Sequence, residues 1–392
     1  MLWAGAFASN IGTWMEAVAV GILVEQTTHK AAWVGLAAAA GFVPIALFGP
    51  LAGVLADRRS RRNILLATTL IQTAFAAVLT TLAALGEARP GFVTIIVFGS
   101  ACAGAIGFPT FQAMLPDLVP REDIPAAVAL SSAQWNLGRV VGPALAGVVI
   151  AVGGYSWAFA INTASFLAVL IVVLPLQLPI PHSTPGESVI ASMLAGLRFA
   201  RDDPGIRTAL ALMIVNSLLA APFIGLVASM AIGVLDSGEV GTSLLVTGQG
   251  IGAVAMAFSL GALVDRFGVR RQLLGSLRVL PAALVAYAYA PNIAIATIAI
   301  TVVGFFYLGA FSCFTTVVQL RAPSHMRGRA LSAFTVTLGT AYPIGLLIQG
   351  VLADWIGLRA TTAGAAVLMA VGLGTVKAIR PNFGNALDSP SN

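Results

Sequence analysis

A charged turn, Gly53-Val-Leu-Ala-Asp57-Arg58-Arg59-Ser60-Arg61-Arg62, returns 208 positions later as Gly261-Ala-Leu-Val-Asp265-Arg266-Phe-Gly-Val-Arg270-Arg271, each copy wedged between two long apolar runs. A glycine, then an acid, then a basic cluster at the mouth of an apolar run, once per half, points to two homologous helical bundles related by internal duplication. A second match supports this. Pro120…Leu130-Ser131…Leu137-Gly138…Gly147 reappears as Pro323…Leu331-Ser332…Leu338-Gly339…Gly350, at offsets of 201 to 203.

The runs between these turns are long enough to cross a bilayer, which takes about 20 apolar residues. Twelve are expected, near 2–24, 33–56, 63–85, 92–114, 126–152, 157–176, 208–234, 242–264, 272–290, 293–319, 330–353 and 360–379. The fold class is therefore all-α integral membrane, with twelve transmembrane helices in two pseudo-symmetric six-helix bundles. The expected division is 1–178 for the N-terminal bundle, 179–207 for a linker, 208–379 for the C-terminal bundle and 380–392 for a tail. The linker holds Pro179, Pro181, Pro185, Gly186 and Pro204, and from Ser188 to Arg201 its apolar residues recur at helical spacing, as in an interfacial helix. With 58% apolar and 9% charged residues, the chain is excluded from the water-soluble globules, where charge runs near a quarter. The first run lacks a basic leader and a small-residue cleavage pattern, so it is expected to be retained.

Charge placement sets orientation. Of 21 Lys and Arg, sixteen fall in the turns after spans 2, 4, 6, 8 and 10 and in the tail, and three (Lys30, Arg89, Arg359) in the opposite turns. By the positive-inside rule this expects a multi-pass plasma (inner) membrane protein with both termini and the linker in the cytoplasm. The basic residues sit in short turns rather than on an aromatic-interleaved face, so no nucleic-acid partner is expected. Cys102 and Cys313 lie inside apolar runs and read as inert thiols, and no metal or cofactor is implied. Gly248-x-Gly250-x-Gly252 has no preceding strand and reads as helix packing, not as a nucleotide loop.

The paired acid-basic turns resemble the signature loop of the major facilitator superfamily, and Gly138-x-x-x-Gly142-Pro143-x-x-Ala146-Gly147 resembles its antiporter motif on helix 5. Ser9-Asn-Ile-Gly12, Phe108-Pro109…Leu115-Pro-Asp-Leu-Val-Pro120 and Pro323-Ser-His-Met-Arg327-Gly328-Arg329 are similar to the drug:proton antiporter branch that holds macrolide efflux pumps and enterobactin exporters. Ser60 stands where that pattern has Gly, and Ala146 replaces the first Gly of the closing pair. The resemblance implies alternating access. Asp57, beside Gly53 and Arg58, would meet the start of helix 11 near Arg329, and Asp265, beside Gly261 and Arg266, the start of helix 5 near Ala126. These contacts would latch the outward-open state. The other reading of the arginines is that they anchor to anionic lipid and set topology.

Inside the bilayer an ionisable group costs about 2.5–3.5 kcal/mol or more, so each calls for a role. Glu16 lies about two-thirds along helix 1 and Arg139 about halfway along helix 5, at depths about 5 Å apart. A Glu16–Arg139 pair is expected, with Glu16 as proton carrier because His29, His182 and His325 fall in turns or the linker. The alternatives are a structural carboxylate or one at a water-filled mouth for Glu16, and carbonyl bonding or an anionic substrate for Arg139. Arg278, two turns from its helix end, reads as snorkelling. Phe108, Phe111, Gln112, Asn216, Phe223, Tyr307, Phe311 and Phe314 are candidate cavity residues, suited to an amphipathic organic molecule. The expectation is a monomer that expels a drug or siderophore in exchange for protons. An importer or lipid carrier of the same fold, or a membrane sensor, is the alternative.

Overall fold

The computed structural model describes residues 2–176, 189–323 and 326–388, and within them the side chains other than those at 2, 53, 54, 56–58 and 189–193. His182, His325 and the linker prolines before Pro204 lie outside it. The first four passages are α1 (Leu2–Thr28), α2 (Ala31–Arg58), α3 (Arg61–Ala84) and α4 (Pro90–Met114). The helix Ile124–Val173 is broken at Gly154, where φ is 73° and ψ −175°, a conformation open to glycine alone. Its arms are α5 (124–153) and α6 (155–173). An amphipathic linker helix, Val189–Asp202, precedes α7, which runs as α-helix from Pro204 to Val215 and continues through π and 3-10 turns to Val234. Then come α8 (Gly238–Phe267), α9 (Val269–Ala288), α10 (Ile293–Arg321), α11 (Arg327–Ile356) and α12 (Leu358–Ile379). Each expected span coincides with one of these passages.

The duplication is visible in the backbone. Gly154 between α5 and α6 and Gly357 between α11 and α12 both hold positive φ and stand 203 residues apart, the upper end of the offset range of the second sequence match. Between α2 and α3 the equivalent of Gly268 is not needed. Arg59 is extended there, and Ser60, the departure from the family's glycine, caps α3 by accepting from the Asn63 N–H at 3.4 Å.

The apolar cores segregate by half. One cluster packs α7 to α12, including Met213, Leu280, Phe314 and Met369. Another packs α1 to α6 around Met15, Ile22, Leu79 and Phe159. Few residues cross over. Ala31 and Ala39 of α2 join the second half's core, and Ala228 of α7 joins the first half's. Large apolar side chains such as Val152, Trp157, Trp355 and Ile379 stand mostly exposed, as a surface solvated by lipid requires.

The irregular α7 shows how backbone groups are satisfied without water. Pro222 has no N–H to give to the carbonyl of Leu218 four residues earlier, and the turns beside it disturb the ladder further. Gln349 of α11 supplies the missing donor: its Nε2 bonds the Leu218 oxygen at 2.8 Å and that of Leu219 at 3.0 Å. On the face bearing the basic turns, Asp203 caps α7 through the Ile206 N–H at 2.7 Å and takes Nε and Nη2 of Arg321, at 2.6 and 3.0 Å. Burial pushes the Asp203 carboxyl up, but the hydrogen bonds from Arg321 and Ile206 outweigh it and hold the group below its ordinary value.

A carboxyl depressed on folding contributes stability above its unfolded value and loses it as pH falls through the folded one. Asp203→Asn is therefore expected to lower the unfolding temperature at pH 7, and the gap to the parent protein should shrink towards pH 3. Thermal unfolding in detergent across that range checks this; a gap that grows in acid contradicts it.

Candidate functional site: two helix pairs that join the halves

Two antiparallel pairs, α2 with α11 and α5 with α8, join the halves, and close approach at glycines shapes both. A Cβ on Gly350 would stand 2.9 Å from the Ala31 oxygen, one on Gly35 2.8 Å from the Leu346 oxygen and one on Gly339 2.7 Å from the Ala46 nitrogen. Further along, a Cβ on Gly49 meets its first neighbour, Thr335, only at 3.6 Å, and on Gly328 nothing lies within 4 Å. The other pair shows the same gradient. Gly147 would meet Ser243 at 2.6 Å and Gly250 the Arg139 and Val140 backbone at 3.3 to 3.6 Å, while Gly261 faces open space. Both pairs are tight at the face opposite the basic turns and loosen towards the basic face.

Polar contacts seal the tight face. Asp354, on the last turn of α11, accepts the Ala31 and Ala32 N–H groups at 2.7 and 3.3 Å, placing a negative charge on the positive end of α2. Buried Glu25 of α1 accepts from the Ser229 hydroxyl of α7. Gln26 donates to Glu239 of α8 at 2.6 Å and accepts from the Tyr155 hydroxyl. The expected latch residues lie at the basic face. Asp265 and Arg266 are exposed at the end of α8, no bond is recorded for Asp265 among the described residues, and Arg266 lies over its own neighbour Phe267 at 5.3 Å. Gly53, Asp57 and Arg58 occupy the last turns of α2, but their side chains lie outside the described set. Arg329 is in the first turn of α11, where the linker helix packs so closely that a Cβ on Gly196 would stand 2.3 Å from its oxygen.

Deep in the span the expected Glu16–Arg139 pair is not formed. Glu16 Oε2 accepts from Asn162 Nδ2 of α6 at 2.6 Å, and the Arg139 guanidinium lies over the Trp14 ring at 5.6 Å. The depths agree; the directions do not. Trp14 and Glu16 are two residues apart, which turns them about 200° around α1. A Cβ on Gly142 would stand 2.7 Å from Trp14 Cβ, so that side of α1 faces α5. Glu16 then points to α6, which comes close because a Cβ on Gly12 would lie 2.5 Å from Asn162 Oδ1.

Arg139 instead belongs to an aromatic wall. Trp14 packs edge-on to Trp135 at 5.8 Å, and Trp135 against Phe108 at 4.9 Å. Trp14 Nε1, Gln134 Oε1, Arg139 Nε and Tyr342 OH are buried without a hydrogen-bond partner among the described residues. Of the candidate cavity residues, Phe108 and Gln112 are exposed, Gln112 accepting from Ser131 at 2.9 Å, and Phe111 and Phe311 are half-buried. Asn216, Phe223, Tyr307 and Phe314 are buried in this state, the last three in the core of the second half, with Phe223 edge-on to Tyr307 at 5.7 Å. The sequence reading missed Asn162, Trp14, Trp135 and Gln134. An Asn in the middle of an apolar run was the one signal available.

The helix 5 motif works as packing here: a Cβ on Gly138 would meet Asn10 at 2.9 Å, Gly142 seats α1, Gly147 faces α8, and Pro143 is buried. Gly248 and Gly252 likewise admit α10, a Cβ on Gly252 standing 1.9 Å from the Thr301 oxygen.

Two six-helix halves that meet along paired helices define a membrane transporter of the major facilitator superfamily. Residues 1–392 match the family model for transmembrane secretion effectors, and the chain belongs to that family. It is 26% identical to the multidrug efflux pump Tap of Mycolicibacterium fortuitum, over 96% of this chain and 94% of that one. It is also 26% identical to macrolide efflux protein A of Streptococcus pyogenes, over 91% and 90%. Among solved structures, a POT family transporter in complex with a thioalcohol-conjugated peptide superposes with a TM-score of 0.78 at 10% identity, covering 97% of this chain and 96% of that one.

The seal has a direct test. Replacing Asp354 and Glu25 together by Ala should raise the labelling, from the tight face, of a cysteine at Phe42 in a background lacking Cys102 and Cys313. Unchanged labelling would remove the sealing role.

Proposed function

We propose that this chain expels an amphipathic small molecule, a drug or a siderophore, in exchange for protons, as a monomer in the plasma (inner) membrane. In this reading residues 1–178 and 208–379 are the two moving bundles, 179–207 the cytoplasmic linker and 380–392 the tail, with the basic face inside the cell. The arrangement then corresponds to the inward-open state. The excess of basic residues on that face supports the orientation. The efflux pumps among the relatives support the direction.

The observation that carries the coupling is Glu16: a carboxylate deep in the span, hydrogen-bonded to the neutral Asn162 amide and to no cation among the described residues. Neutral Asn162 can hold the carboxyl in either state of protonation, accepting or donating after a rotation of the amide. That suits a group that must gain and lose a proton once per cycle. Arg139 then acts separately, as the polar centre of the aromatic wall. A proton from outside neutralises Glu16 when the cleft faces out, which removes the cost of carrying a charge through the closed intermediate. The membrane potential drives that step at about 2.3 kcal/mol per 100 mV.

The acids at the ends of α2 and α11 would set which face is shut. Asp354 on α2 closes the outer face; Asp57 on the start of α11, and Asp265 on the start of α5, would close the inner one. Each such contact contributes about 0.3–1 kcal/mol when exposed and up to about 2 when partly buried. Opposed latches of this size hold either state without trapping it.

Glu16→Gln is expected to abolish proton-driven efflux from loaded proteoliposomes while expression and folding persist. Asn162→Ala should slow it. Full efflux by the Gln variant would overturn the carrier role, and uptake where efflux is expected would favour the importer reading.

A further inference from the structure

A cavity of about 420 Å³ opens on the basic face of the second half, between the start of α9, the end of α12 and the 3-10 turn Phe383–Leu387, away from the cleft. Its wall carries Arg270, Arg271, Arg278 and Lys377 over an apolar floor of Leu274 and Phe383. Among the described residues, one of these cations is neutralised. Arg270 Nη1 donates to Asp388 at 2.6 Å and to Asn385 at 2.7 Å, which also fixes the turn that forms one side of the cavity. For Arg271, Arg278 and Lys377 no hydrogen bond or ion pair is recorded among the described residues. Arg271, Leu274 and Arg278 follow at spacings of three and four, so they share one stripe of α9.

Three cations in one concavity, one of them two turns inside a membrane helix, repel one another and call for anions. The rim indicates where an anion comes from. Val279, Val376 and Ile379 beside the cavity are exposed at 40%, 42% and 73%, a surface that needs hydrocarbon and not water. A ligand that presents phosphate to the cations and acyl chains to this rim satisfies both. We propose that the cavity binds the headgroup of an anionic phospholipid. Arg271 and Arg278 stand about 10 Å apart along α9, so two phosphates reach both where one would not. The best occupant is a diphosphatidyl lipid.

The test uses the full-length protein in detergent with an equimolar mixture of diphosphatidylglycerol and phosphatidylcholine, reading retained lipid by native mass spectrometry. The expected result is selective retention of diphosphatidylglycerol, reduced about fivefold by each of Arg271→Gln, Arg278→Gln and Lys377→Gln, and largely kept by Arg271→Lys with Arg278→Lys. Size-exclusion profiles confirm that the variants are folded, and the Lys variants keep the comparison valid if a Gln variant is not. Equal retention of the two lipids, or undiminished retention by the Gln variants, overturns the proposal. So does displacement of the lipid by an equal concentration of its deacylated, water-soluble headgroup, which would make the ligand a soluble phosphate ester.

Discussion

Two straight helices in antiparallel contact across a membrane cannot be tight at both ends and still admit a ligand between the bundles they join. In this protein that constraint falls on α2 with α11 and α5 with α8. At the tight face their glycines let backbone meet backbone, at separations no side chain would allow. Towards the basic face no described residue comes within 4 Å of a Cβ placed on Gly261 or Gly328. Every other element of the site depends on this taper: the aromatic wall faces a cleft because the pairs diverge, and the Glu25 and Asp354 contacts exist because they converge.

Asp354 shows how little energy such a device needs. It completes the first turn of α2 from outside, bonding N–H groups that have no partner within the helix. Asp57 belongs to the last turn of α2, at the far end of the same α2–α11 pair. In the proposed cycle Asp57 would meet the start of α11 in the opposite state, so the two acids would act as mutually exclusive latches. That symmetry follows from the antiparallel arrangement alone.

Much of this was legible in the sequence because lipid restricts the chain to helices and makes length and charge placement decisive. The twelve spans and the packing role of Gly248, Gly250 and Gly252 were readable that way; Gly154 and Gly357, which break the chain between helices, were not singled out. Depth was readable too, since rise per residue is fixed, and Glu16 and Arg139 do lie at comparable levels. Direction around the helix axis was not. It is set by which neighbour comes closest, and that depends on Gly12 and Gly142 acting on opposite sides of α1. Four of the eight cavity candidates are buried for a related reason: the sequence marks aromatic residues on inner helices but not which state of the cycle opens them. The role of Gln349 was hidden because it answers a fault in another helix, the carbonyls left bare by Pro222.

The claim on which the account rests is that the two faces open in alternation. Spin labels at Ala129 of α5 and Ala262 of α8 report the basic face, and labels at Thr27 of α1 and Val240 of α8 report the sealed one; all four positions are exposed. Pulsed electron-spin distance measurements on both pairs, with pH and a transported drug as variables, should show the first distance shortening whenever the second lengthens. Distances that move together, or a sealed face that stays shut while the basic face closes, would contradict it.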